Sequence, residues 1–270
     1  MFSLTKATAF AVALIGSVAY GQTQPNSYTR ALCVKAKDGR VAELAKYLHD
    51  VTAKTAKVRV DAGVYSSFIV AQSVVPAGRD APCDFRLLYR SNGFPAEATG
   101  PEKLAEDMKK AGIAMTREQS VSQRDAISYL VSTDYWQNRV DVGGPAAKGS
   151  YVRVNYYRTK PGSTPANWVQ MENGGWRGMA EVWAKETPGM GWGILTIALS
   201  AGTEVPYNGI TYDLFPTWAA LGRNGQNRAT WNKVHPQQDL SDYMAQLANI
   251  AERRRTEVLK VIEAVGAPNR

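Results

Sequence analysis

With 270 residues, 44% hydrophobic and 21% charged, the chain has the make-up of a folded globular protein with ample core, which excludes a disordered or collagen-like polymer. Its net charge of +8 favours small anions or anionic surfaces, but the basic residues are dispersed, so the charge is not a nucleic-acid footprint. Two cysteines and two histidines supply no ligand spacing for zinc, iron–sulfur or covalent haem, and no metal is expected.

In chain order, Lys6 precedes an apolar stretch at 7–18, followed by Ala19-Tyr20-Gly21. The stretch is too short to span a bilayer comfortably, and small residues sit at −3 and −1 of a cut before Gln22. This predicts a secretory signal peptide over 1–21 rather than an uncleaved anchor, hence a periplasmic or secreted protein with no membrane association after cleavage. Loss of Lys6, the only charge in that stretch, leaves a net charge of +7 (8 − 1).

Residues 28–37 alternate and end at a turn on Gly39, which predicts a strand. A helix follows from about 41, with Val41, Leu44, Leu48 and Val51 on one face. Strands are expected at 64–75 and 83–90, and a helix at 101–111 with Pro at its first turn. Helical periodicity runs from 117 to about 140, with a fourth strand over 135–142 as the alternative. Residues 143–149 form a linker; their Lys-Gly-Ser order is not the Gly-Lys-Ser/Thr of a phosphate loop. Beyond it come a strand at 151–159, a helix at 165–185 interrupted by Asn173-Gly174-Gly175, and strands at 193–200 and 210–215. Asp239 then caps a helix running toward 265, with Arg253-Arg254-Arg255 as its solvated face.

The chain repeats itself. Tyr28, Arg30, Lys37 and Gly39 match Tyr151, Arg153, Lys160 and Gly162 at a constant offset of 123 (151 − 28). Further matches pair Pro76-Ala77-Gly78 with Ser200-Ala201-Gly202, Cys83-Asp84-Phe85 with Tyr212-Asp213-Leu214 at 129, and Met108 and Arg117 with Met244 and Arg253 at 136. This predicts a duplication into halves 22–142 and 150–270.

Each half reads β-α-β-β-α, with room for a closing strand, and resembles the split βαββαβ ferredoxin-like unit. Two such units in tandem resemble the α+β-barrel superfamily of dimeric origin. That resemblance implies an α+β fold in which two sheets face one another as a barrel with helices outside. It implies a spread of functions: haem proteins, small-molecule monooxygenases, isomerases and members without known activity. Fold alone does not choose among them. The Gly-x-x-Asp-Gly motif of dye-decolourising peroxidases is absent. No cofactor is therefore expected, with haem as the alternative.

The repeated strand supplies the candidate site. If Val152, Val154 and Tyr156 pack under the helices, Tyr151, Arg153, Asn155 and Tyr157 face the barrel interior, opposite Tyr28 and Arg30 of the first half. Arg30 and Arg153 would then form an anion site ringed by Tyr28, Tyr151, Asn155 and Tyr157, suited to a small anionic or aromatic molecule. The alternative is internal pairing with Asp84 or Asp213; Arg30 and Asp84 each lie near the start of their strands, hence at opposite ends of antiparallel neighbours, which disfavours pairing inside one half but not between halves. His235, before Pro236, is the candidate base or haem ligand, or simply a residue leading into the last helix. His49 reads as solvated or half-buried, and most tryptophans as core. Cys33 and Cys83 read either as a disulfide or as two small buried side chains. The expected function is an exported, non-catalytic barrel protein that binds a ligand between its halves. The alternatives are a haem-dependent or monooxygenase-like enzyme using His235, and a structural protein with a filled barrel.

Overall fold

The computed structural model describes residues 27–78, 81–94, 100–199, 206–222 and 227–266; the expected signal peptide and Ser200-Ala201-Gly202 lie outside them. The first half runs β1 (Ser27–Ala36), α1 (Val41–Tyr47), a π-helical stretch (Leu48–Ala53), α2 (Lys54–Asp61), β2 (Ser67–Val75), β3 (Phe85–Asn92), α3 (Pro101–Lys110), α4 (Arg117–Ile127) and β4 (Ser128–Gly143). The second runs β5 (Tyr151–Thr159), α5 (Pro165–Glu186), β6 (Gly191–Leu199), β7 (Gly209–Phe215), α6 (Trp218–Leu221), α7 (Asn227–Val234), α8 (Leu240–Ile250) and β8 (Ala251–Gly266). Each half is therefore a βαββαβ unit with its fourth strand present.

The eight strands close into one antiparallel barrel in the order β1-β3-β2-β8-β5-β7-β6-β4. Each half contributes its strands in the same order, and the halves meet at two seams, β2 against β8 and β6 against β4. Arg30 stands opposite Tyr89 on β3 and Tyr135 on β4; Arg153 stands opposite Asp213 on β7 and Val258 on β8. The offset of 123 thus persists from β4 to β8 (258 − 135) and becomes 124 from β3 to β7 (213 − 89). The seams agree, with Ser67 opposite Gly266 and Gly191 opposite Gly143. The turns after β1 and β5 are equivalent too: Gly39 and Gly162 take φ of +75° and +85°, a conformation that disfavours any Cβ. The offset of 129 does not hold: Asp84 precedes β3 and accepts the Ala36 N–H at 2.8 Å, whereas Asp213 lies within β7.

Three expected helices need correction. The 117–140 stretch is α4 and then β4, and the stretch toward 265 is α8 and then β8. Both strands carry register shifts against their neighbours, which break the two-residue alternation and make their apolar spacing look helical. Arg253, Arg254 and Arg255 accordingly lie on β8 rather than on a helix. Helix α5 runs uninterrupted through Gly174-Gly175, and Gly175 serves close packing rather than a break: an added Cβ there would lie 2.3 Å from the Tyr243 ring.

Apolar residues collect in three bodies. Leu44, Leu48, Phe68, Phe85 and Met108 pack between the first-half helices and the barrel. Trp168, Met179, Trp192, Trp231 and Leu247 do the same in the second half. Ala31, Trp136, Val152, Val154, Tyr156, Leu195 and Leu259 form the third, inside the barrel. Cys33 and Cys83 form a disulfide tying β1 to the segment before β3, with Cα atoms 5.2 Å apart.

Candidate functional site

The inner face of the barrel encloses a cavity of about 380 Å³. Its belt is apolar, built from residues such as Ile69, Leu88, Val154, Leu195, Ile210 and Leu259, and charged groups stand at both ends. At one end Arg90 pairs with Asp141, which also accepts the Tyr212 hydroxyl at 2.5 Å. Arg90 Nε donates to Ser27, and Ser27 also accepts from Asn138. Arg90 and Asp141 are each 34% exposed, and Gly143–Ala146 of the linker border the cavity here, so this end is the mouth.

The far end holds a buried ion pair. Arg86 on β3 is 5% exposed and Glu257 on β8 is 2% exposed; they meet through two bonds of 3.1 Å, a fork that fixes both side chains. Tyr156 donates its hydroxyl to Glu257 at 2.9 Å, and Arg255 reaches the same carboxylate at 3.1 Å while lying over the Tyr156 ring. Burial opposes the Arg86 charge, but Tyr156 and Glu257 beside it outweigh that and push its pKa up. Asp134 on β4 lines the same cavity. Burial raises its pKa, against the pull of Arg86, Arg255 and the Tyr207 hydroxyl. Burial likewise raises Tyr156 and Tyr212. The arrangement can enclose a small apolar body, exclude water from it, and hold or move a proton at Asp134 next to fixed positive charge.

The expected site residues are not in this cavity. Val152, Val154 and Tyr156 line it, so Arg153, Tyr151, Asn155 and Tyr157 face outward, toward the helices. Arg153 pairs with Asp213 directly across the β5–β7 ladder at 3.0 Å, inside one half, which corrects the argument against that pairing. Asn155 bonds Thr211 and Thr256, Tyr157 lies 5.3 Å from Trp168, and Tyr151 meets Trp218 edge-on. In the first half Arg30 stacks over Tyr89 at 4.7 Å and Tyr28 meets Phe94. The two arginines lie under different helical layers and do not converge. Alternation separates two faces but does not say which one is inside, and here both are buried. The missed residues had a signal: Arg86, Leu88 and Arg90 share one face of an otherwise apolar strand.

Neither histidine reaches the cavity lining. His235 lies on Trp231, ring centres 4.3 Å apart, with Nε2 2.9 Å from the Gly175 carbonyl oxygen of α5. His49 pairs with Glu263 at 2.7 Å on the outer surface. The Nε2 of His235 is thus engaged by a backbone carbonyl, His49 stands outside the cavity, and the cysteines are joined to each other, so the donor set around the cavity does not fit haem. Among the described residues no group of three or more His, Cys, Asp or Glu could hold a metal ion.

No family model matches the chain, and no curated protein does. Solved structures do. A candidate monooxygenase from Lactobacillus acidophilus NCFM matches with a TM-score of 0.53 at 10% identity, over 90% of this chain and 97% of its own. A second candidate monooxygenase, from Fusobacterium nucleatum subsp. nucleatum, matches with a TM-score of 0.54 at 10% identity, over 89% and 94%. The encapsulated DyP-type peroxidase of Mycobacterium smegmatis is a looser likeness, with a TM-score of 0.44 at 9% identity over 89% and 92%. The chain shares the fold of the two candidate monooxygenases, an α+β barrel of antiparallel strands with helices outside. The two candidate monooxygenases are named as enzymes, which overturns the expectation of a non-catalytic binding protein in favour of the enzyme alternative.

Proposed function

We propose that the protein is an enzyme of monooxygenase-like type that works in the barrel chamber on a small molecule with an aromatic or otherwise apolar body. The observation that carries this reading is the chamber itself: about 380 Å³ of apolar belt with a buried Arg86–Glu257 fork and Asp134 at its far end. Two structures of the same fold, both candidate monooxygenases, support the reaction type. His235 has no part in it, being packed under α5. The belt would seat the ring, and the mouth residues Arg90, Asp141 and Tyr212 would select what enters.

The test is oxygen uptake and product analysis over a panel of small aromatic compounds, with wild type set against Ile210→Trp, which fills the belt. Turnover should fall at least about tenfold in the variant while the melting temperature stays within a few degrees. Undiminished turnover with a filled chamber would place the site elsewhere.

Two further readings belong to the same proposal. The chain is exported and cut before Gln22, a reading supported by its leader and by the Cys33–Cys83 bridge. The two halves descend from one duplicated unit, supported by offsets of 123 to 124 across all four strand pairs. Small molecules, rather than nucleic acid or membrane, are the partners proposed. Among the described residues no helix is long and apolar enough to cross a membrane.

A further inference from the structure

The far end of the chamber carries a polar network with a donor left over. Glu257 receives Nε and Nη2 of Arg86, Nη2 of Arg255 and the Tyr156 hydroxyl, which commits both of its oxygens. Nη1 of Arg86 takes no part in that fork, and Nε of Arg255 is buried without a hydrogen-bond partner. A guanidinium donor left without an acceptor away from water, as the Nε of Arg255 is, is costly, and a network not fully satisfied is suited to an oxygen that arrives with a ligand. Asp134 flanks the same two arginines from β4.

We propose that this far end binds the carboxylate of a small, otherwise apolar acid, and that Asp134 takes up a proton when the acid arrives. The inference rests on the reading of the chamber as the substrate site. Charge balance supplies the second half. Arg86 and Arg255 are matched by Glu257 and Asp134, so an added anion would lack its counter-charge in a poorly solvated place. A proton from solvent on the Asp134 carboxylate restores neutrality, forming one O–H bond and changing no other. Asp134 is the group to take it, since burial already favours its neutral form. The groups acting on it are Arg86 from β3, Arg255 from β8 and Tyr207 from the segment before β7, with Glu257 of β8 and Tyr156 of β5 behind the arginines. A doubly charged phosphate would need a second counter-charge and fits less well.

The probes are benzoate and its neutral counterpart benzyl alcohol, titrated calorimetrically in buffers of different ionisation heat between about pH 5.5 and about pH 8, where benzoate stays ionised. Benzoate binding should take up close to one proton and weaken as pH rises, roughly tenfold per unit across the Asp134 window. Benzyl alcohol should bind with no proton uptake. In Asp134→Asn, benzoate binding should become flat with pH and proton-free; in Arg86→Met, benzoate should lose its advantage while benzyl alcohol still binds. Should Arg86→Met fail to fold, the Asp134→Asn titration decides alone. Unchanged proton uptake in Asp134→Asn overturns the inference. Benzyl alcohol binding with benzoate no tighter at any pH overturns it and leaves the chamber reading standing. Failure of both probes to bind overturns both.

Discussion

Glu172 on α5 is 2% exposed, and its Oε1 has no hydrogen-bond partner. Burial pushes its pKa up to about 8, partly offset by the Trp168 indole and reinforced by Asp213. The carboxyl is therefore neutral in the folded protein at pH 7, while the unfolded chain releases its proton near the ordinary carboxylate range. The folded state holds the extra proton in that window, so stability falls as pH rises from about 4.5 to about 8. Glu172→Gln should flatten the melting-temperature profile across this range and stabilise the protein by about 2–4 kcal/mol near pH 8. A profile as steep as wild type would assign the pH dependence to other groups. The same residue scale shows where sequence reading stopped. Alternation grouped Arg153 with Tyr151 and Asn155 correctly, but a strand buried on both faces gives no sign of which face meets the helices. The polar residues that do line the chamber are separated in sequence: Arg86 and Glu257 become neighbours only because β2, set between β3 and β8, brings those strands to adjoining positions.

At the scale of elements, β4 and β6 cross their seam at a pair of glycines. A Cβ on Gly143 would lie 2.4 Å from the Met190 carbonyl oxygen, and its φ is +93°. A Cβ on Gly39 meets nothing within 4 Å, leaving only the strain of φ +75°. Gly143→Ala should therefore cost about 2–4 kcal/mol in denaturant unfolding, and Gly39→Ala about 1 kcal/mol. Equal costs would mean that the close approach of the two strands relaxes. Most elements could be read from the sequence, because β1 alternates and ends at a glycine turn, β2 is rich in β-branched and aromatic residues, and α3 begins with Pro101. β4 and β8 could not, since their bulges imitate helical spacing and what makes them strands is the partner across each seam. Thr116 and Asp239 start α4 and α8 by accepting backbone N–H groups, but nothing local announces that those helices stop at Ile127 and Ile250.

At the scale of the whole molecule, export and cross-linking can be read in one measurement. Material recovered outside the cytoplasm should have the intact mass of the chain from Gln22, about 2 Da below the reduced mass because Cys33 and Cys83 are joined. Reduction should then cost about 2–4 kcal/mol, as expected for a bridge closing a 50-residue separation. Retention of 1–21, or a fully reduced mass, would contradict the exported reading. The two seams also set an order of events for a chain made from its N-terminus. β4 finds β6 after 48 residues (191 − 143), but β2 waits 199 residues (266 − 67) for β8, the last strand described. Until then β2 presents an unpaired edge, the kind of surface on which neighbouring chains add as extra strands. A chain threaded unfolded through a membrane would postpone that exposure until its final strand is at hand.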